Sequence, residues 1–185
     1  NWLANRSEVI PNNYALIGYS RGGELALLLG SRYHQVRAVV ALAPSFVVFP
    51  APPKPLSQEL PRHYPAWTYM GQALPYVPMR FSLATVKGLF TGKQVKMFQE
   101  ALQNAPRVEA ATIPVEKTQG PILLISGTRD ETWPSTFMCD QVVKRLESKG
   151  FEFHYEHVAY ETGHSVLDAK GCWPKILAFL TKYFK

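Results

Sequence analysis

Tyr14-Ala15-Leu16-Ile17-Gly18-Tyr19-Ser20-Arg21-Gly22-Gly23-Glu24-Leu25-Ala26-Leu27-Leu28-Leu29 is the stretch on which the reading of this chain turns. An apolar run enters Gly-Tyr-Ser-Arg-Gly, and apolar residues at helical spacing leave it, so strand, turn and helix follow one another without a linker. A serine at so sharp a turn needs small residues two positions before and two after, because the backbone folds back beside them. Gly18 and Gly22 fill those positions. The arrangement is a nucleophile elbow, which lifts the serine oxygen above the end of a sheet. Gly-x-Ser-x-Gly alone recurs by chance in many chains; its place between strand and helix makes it informative.

An acyl-transfer serine needs a base to take its proton and an acid to hold that base in one tautomer. Pro121-Ile122-Leu123-Leu124-Ile125-Ser126-Gly127 is an apolar run bounded by Pro and Gly, and it reads as a buried parallel strand. Asp130 and Glu131 lie just past its carboxyl end, with Asp130 the expected acid and Glu131 its rival. A further strand pattern, Phe151 to Ala159, precedes Tyr160-Glu161-Thr162-Gly163-His164-Ser165. Of the five histidines, His34 follows a helix, His63 lies in a Pro-rich loop, and His154 and His157 fall inside the expected strand. His164 has the loop position a base requires. Ser20, Asp130 and His164 thus all fall at carboxyl ends of strands, where open α/β sheets build their sites.

The 185 residues suit one domain with a real core, and 46% hydrophobic with 18% charged residues is the balance of a globular protein. No apolar stretch approaches the ~20 residues of a membrane helix, and no basic-then-apolar leader opens the chain. Cys139 and Cys172 have no CxxC spacing, so neither a disulfide framework nor a metal site is expected. A cytoplasmic location is the simplest expectation from that usage. The net charge of +6 comes from dispersed residues, which reads first as a solvated basic surface and second as a preference for an anionic substrate. Nucleic-acid binding is disfavoured because no recognition motif is present.

Further strands and helices are expected at Val36–Ala43, Ser135–Lys149 and Ala169–Phe184, and Asn1 to Arg6 reads as the end of a helix. From Pro44 the pattern loosens, with prolines at 50, 52, 53, 55, 75 and 78, and only one helix, about 93–103, is expected before Ile113. Residues 44–112 read as a lid-like insertion, whose aromatics (Phe46, Phe49, Trp67, Tyr76 and Phe81 among them) are candidates for an acyl pocket or for packing the insertion. The rest is a β-α-β rhythm, hence a parallel sheet flanked by helices with right-handed crossovers.

The Gly18–Leu27 segment resembles the acyl-CoA thioesterase and bile acid-CoA:amino acid N-acyltransferase family, in its carboxyl-terminal α/β-hydrolase domain. The likeness continues through Arg37–Ala41, Val115-Glu116-Lys117, Gly120–Gly127 with Asp130, Trp133-Pro134-Ser135 and Gly163-His164. It implies a nucleophile-Asp-His triad at Ser20, Asp130 and His164, thioester substrates, and no cofactor or metal. The N-acyltransferase branch commonly carries cysteine as nucleophile, and Ser20 departs from that. A serine ester suits attack by water, so hydrolysis is favoured over transfer to an amino acid. An esterase of the dienelactone-hydrolase kind is an alternative, as is a non-catalytic hydrolase domain serving as an interaction module. Such a sheet normally has several strands before the nucleophile strand. About four strands, the second half of the fold, are expected here, with a preceding segment or another chain to complete the sheet. The Arg21 backbone N–H is the expected first oxyanion donor; the second donor normally comes from a loop preceding this stretch.

Overall fold

The structure is a computed structural model that describes residues 2, 5–51, 64–79 and 82–184. In chain order it has β1 (Tyr14–Tyr19), α1 (Arg21–Gly30), β2 (Val36–Leu42), β3 (Thr68–Tyr69), β4 (Gln72–Ala73) and α2 (Leu83–Thr91). Then come α3 (Val95–Ala101), α4 (Ala105–Ala111), β5 (Ile122–Gly127), α5 (Ser135–Ser148), β6 (Tyr155–Tyr160) and α6 (Cys172–Tyr183). The strands and helices that carry the expected site match the sequence reading to within a few residues at each end.

β1, β2, β5 and β6 form a four-stranded sheet in that order, with every neighbouring pair parallel. β5 is buried throughout and β2 at all but Arg37, as expected of near-continuous Val, Ile, Leu and Ala runs covered on both faces. β1 and β6 are the outer strands and are only partly buried. One face presents Val40, Leu42, Leu123 and Ile125 to Ile176 and Phe179 of α6. On the other face α1 approaches β2 so closely that a Cβ on Gly30 would lie 2.7 Å from Val39 Cγ2. α5 covers the same face at β5 and β6 through Thr136 and Asp140. Because all four strands point one way, their carboxyl ends share one rim, and the loops after β1, β5 and β6 rise from it.

Contacts divide the chain into two compact units. The sheet and its helices are one; residues 47–113 with 131–134 are the other. The second unit is more regular than its sequence pattern indicates. It holds α2, α3, α4 and the β3–β4 hairpin where one helix was expected. Two of these helices carry start signals. Ser82 Oγ accepts the Thr85 N–H, and the Asn104 side chain accepts the Arg107 N–H with a proline in the first turn. Helices of 9, 7 and 7 residues are too short for a clear apolar period, which is why the caps were the better signal. Phe49, Phe98 and Trp133 form the unit's aromatic cluster, with ring centroids 4.9 to 6.3 Å apart. Met70, by contrast, is exposed. Phe81, His63 and the Pro52–Pro55 run lie outside the described residues, as does most of the expected helix end at Asn1 to Arg6. Among the described residues no helix is long and apolar enough to cross a membrane.

Candidate active site

Ser20 follows β1 directly and has φ 56° and ψ −120°, a backbone conformation that L-residues rarely adopt. Its N–H is held by the Leu42 carbonyl at 2.8 Å, and its own carbonyl accepts from Gly23 and Glu24 as α1 begins. A Cβ on Gly18 would collide with the Gly22 carbonyl, so the backbone fold-back is as tight as the motif implies. A Cβ on Gly22 would meet open space. The steric demand at that end of the turn falls instead on Gly23, where a Cβ would lie 3.0 Å from the Leu42 carbonyl oxygen. Ser20 occupies the N-cap position of α1, yet its side chain makes no capping bond. The hydroxyl faces His164 instead.

His164 Nε2 lies 2.8 Å from Ser20 Oγ, and His164 Nδ1 lies 2.8 Å from Asp130 Oδ2. The Asp130 side chain is 1% exposed and that of His164 18%, so the acid is shielded while the hydroxyl end stays accessible. The Asp130 carboxylate accepts Nδ1–H, which leaves Nε2 as the acceptor of the serine proton. Asp130 is held in its turn by its own N–H, which donates to the Gly127 carbonyl. The His164 loop is held from below by Tyr19, whose hydroxyl donates to the His164 carbonyl at 3.2 Å and whose ring lies 5.3 Å from the imidazole. Tyr19 was not singled out in the sequence; its place beside the nucleophile was the available signal.

The remaining candidates go elsewhere. Glu131 is exposed and pairs with Lys93 Nζ at 2.8 Å. His34 is exposed, and His154 stacks on Tyr183 with centroids 4.0 Å apart. Arg21 turns its guanidinium to the fully buried Glu24 at 2.7 Å, and burial lowers the pKa of the Arg21 group while Glu24 opposes that shift. Cys139 and Cys172 are buried free thiols. Burial pushes the Cys139 thiol well up, with the charges of Asp140 and Asp130 adding to it. Among the described residues no cluster of His, Cys, Asp or Glu could hold a metal ion. His157, read only as a strand residue, forms a second line of hydrogen bonds. Its Nε2 lies 2.7 Å from Ser126 Oγ and its Nδ1 3.1 Å from Asp140 Oδ1.

A parallel sheet between two helical layers, with a serine elbow and a histidine and acid on loops along one rim, defines the α/β-hydrolase fold. Solved structures agree. The chain is similar over its whole length to Pyrococcus horikoshii acylaminoacyl peptidase, with TM-score 0.62 and 11% identity, covering 26% of that chain. It is also similar to acetyl xylan esterase 1 from a Thermoanaerobacterium species, with TM-score 0.52 and 15% identity over 98% of this chain and 49% of the other. More particularly, the chain belongs to the BAAT / acyl-CoA thioester hydrolase C-terminal family, whose model matches residues 1–185. Mouse acyl-coenzyme A thioesterase 1 is 29% identical over 82% of this chain and 32% of its own length. The human protein of that name is 25% identical over 90% of this chain and 36% of its own. The chain therefore spans about a third of the length of these relatives.

Proposed function

We propose that this domain hydrolyses acyl-CoA thioesters to the free acid and CoA through an acyl-serine intermediate. The observation that carries the reading is the unbroken line from Ser20 Oγ through His164 to the buried Asp130 carboxylate, with 2.8 Å at each junction. Family membership supports the thioester as substrate class.

As Ser20 Oγ attacks the thioester carbonyl carbon, its proton passes to His164 Nε2. The charge on the imidazolium is met by Asp130, whose carboxylate also keeps the ring in the useful tautomer. The tetrahedral oxyanion forms beside the first turn of α1, where the Arg21 N–H is the donor. Collapse breaks the C–S bond, and the departing sulfur takes the proton from His164. Water then gives a proton to Nε2 as its oxygen attacks the serine ester; the acid leaves and Ser20 regains its hydrogen. The steps use side chains, one backbone amide and water. Gly18 and Gly22 shape the elbow that presents the hydroxyl.

Serine rather than cysteine at position 20 favours water over an amine as the second nucleophile, because an oxygen ester is less prone to aminolysis than a thioester. The reading is tested by comparing turnover of acyl-CoA with that of p-nitrophenyl esters. Acyl-CoA hydrolysis that disappears in Ser20→Ala supports it. Ester cleavage without any thioester cleavage would transfer the domain to the esterases. A folded protein whose Ser20 fails to react with a fluorophosphonate would be an interaction module instead.

A further inference from the structure

The second Ser-His-Asp line leads to one peptide unit, and that peptide is the support of the first line. Ser126 Oγ lies 3.1 Å from Thr136 Oγ1, and the Thr136 hydroxyl donates to the Gly127 carbonyl at 3.2 Å. The same carbonyl accepts the Asp130 N–H at 3.2 Å. The Gly127 N–H is held by Ser135 Oγ at 3.3 Å. The loop that carries His164 rests on the same residue, because a Cβ on Gly127 would run into the Gly163 and Thr162 carbonyl oxygens. On either side of that contact, Thr128 N–H donates to the Tyr160 carbonyl and Arg129 N–H to the Thr162 carbonyl, both at 2.9 Å. Gly127 is therefore the common footing of the acid loop and the base loop.

The polar line that reaches this footing is costly by composition. β5 is otherwise Ile122, Leu123, Leu124 and Ile125, all fully buried, and Ser126 is as buried as they are. A valine there would pack without burying a hydroxyl against an imidazole. Burial also depresses the pKa of His157, against the opposing pull of Asp140, which favours the neutral ring. Asp140 then accepts Nδ1–H, Nε2 accepts the Ser126 proton, and Thr136 is left to donate toward Ser126 and the Gly127 carbonyl. Each hydroxyl has one orientation. The line is directional, and its free end fixes the carbonyl on which Asp130 turns.

We infer that Asp140, His157, Ser126 and Thr136 are positioning residues for the catalytic acid and base, acting through the Gly127 peptide. The inference rests on the hydrolase reading above. It requires that loosening the line lower the rate of the chemical step without weakening substrate binding, because none of the four is placed to touch substrate. A misplacement of a catalytic group by under an ångström is enough for a loss on the order of 10-fold.

The test uses the full chain, with p-nitrophenyl acetate turnover and the rate of Ser20 labelling by a fluorophosphonate as readouts. Thr136→Val keeps the shape and removes the donor; Thr136→Ser restores it; His157→Gln keeps a partner for Ser126 and cuts the link to Asp140. The expected result is a roughly 10-fold lower kcat and labelling rate for Thr136→Val at unchanged KM, recovery in Thr136→Ser, and an intermediate loss in His157→Gln. Equal rates in wild type and Thr136→Val would overturn the positioning role and leave the hydrolase reading standing. So would a Thr136→Val loss that Thr136→Ser does not recover, or one carried by KM. A folded wild-type protein that neither labels nor turns over would overturn both. Should His157→Gln fail to fold by circular dichroism, the threonine pair, at a half-buried position, decides the matter alone.

Discussion

Two lines of Ser, His and Asp run through one face and one rim of this sheet, and they are buried from opposite ends. In the first, the Asp130 side chain is 1% exposed and Ser20 is partly open. In the second, Ser126 is fully buried and the Asp140 side chain is 52% exposed. Donor and acceptor distances are nearly the same. What separates a site from a strut here is the direction in which water is excluded. A carboxylate out of water acts strongly on the imidazole beside it, whereas one in water is screened. A hydroxyl at the surface can be reached by a carbonyl, whereas one inside β5 can only hold its neighbours.

The sharpest way to break the comparison is to remove each hydroxyl. Ser20→Ala is expected to lower acyl-CoA or ester turnover by about 10⁴-fold or more, since nothing else in the line can form the covalent intermediate. Ser126→Ala, measured in the same assay, is expected to keep a tenth or more of the activity. Comparable losses in the two would erase the distinction. The acids come next. Asp130→Asn should cost on the order of 10⁴ in kcat by favouring the wrong tautomer. Asp140→Asn, being half in water, should cost only a few-fold.

The turn that exposes one serine is expected to be less forgiving than its motif implies at one glycine and more forgiving at the other. Gly18→Ala must push a Cβ into the Gly22 carbonyl and should lower stability by about 3 kcal/mol in urea denaturation. Gly22→Ala meets open space in the first turns of a helix and should be neutral or stabilising. The smallest effect concerns pH. Because burial depresses His157 below its unfolded value, its contribution to stability is present above the ordinary histidine range and is lost as pH falls through the folded value. The wild-type chain should therefore lose stability more steeply on acidification below about pH 6.5 than His157→Gln, as read from melting temperatures.

Much of this was legible before any coordinates. The strand-Ser-helix junction, the apolar run ending at Gly127 and the loop position of His164 are local signals tied to periodicity and chain order, and the parallel sheet joins them without further choices. Three things were not legible. The load on Gly23 rather than Gly22 depends on how close α1 comes to the end of β2, a distance no pattern encodes. The Asp140–His157–Ser126 line joins a helix and two strands across a sheet face, so its members look like an ordinary strand serine, strand histidine and helix acid. The helices of residues 83–111 are short enough that tertiary packing, with caps at Ser82 and Asn104, outweighs any apolar period.

The sheet order has a kinetic corollary. Ser20 follows one outer strand and His164 the other, 144 residues later, so their meeting requires β1, β2, β5 and β6 all to be docked in sequence. A half-assembled chain has the hydroxyl but not its base. Reactivity at position 20 during refolding would thus lag behind the return of helical signal, making covalent capture a clock for the last event of assembly rather than for collapse.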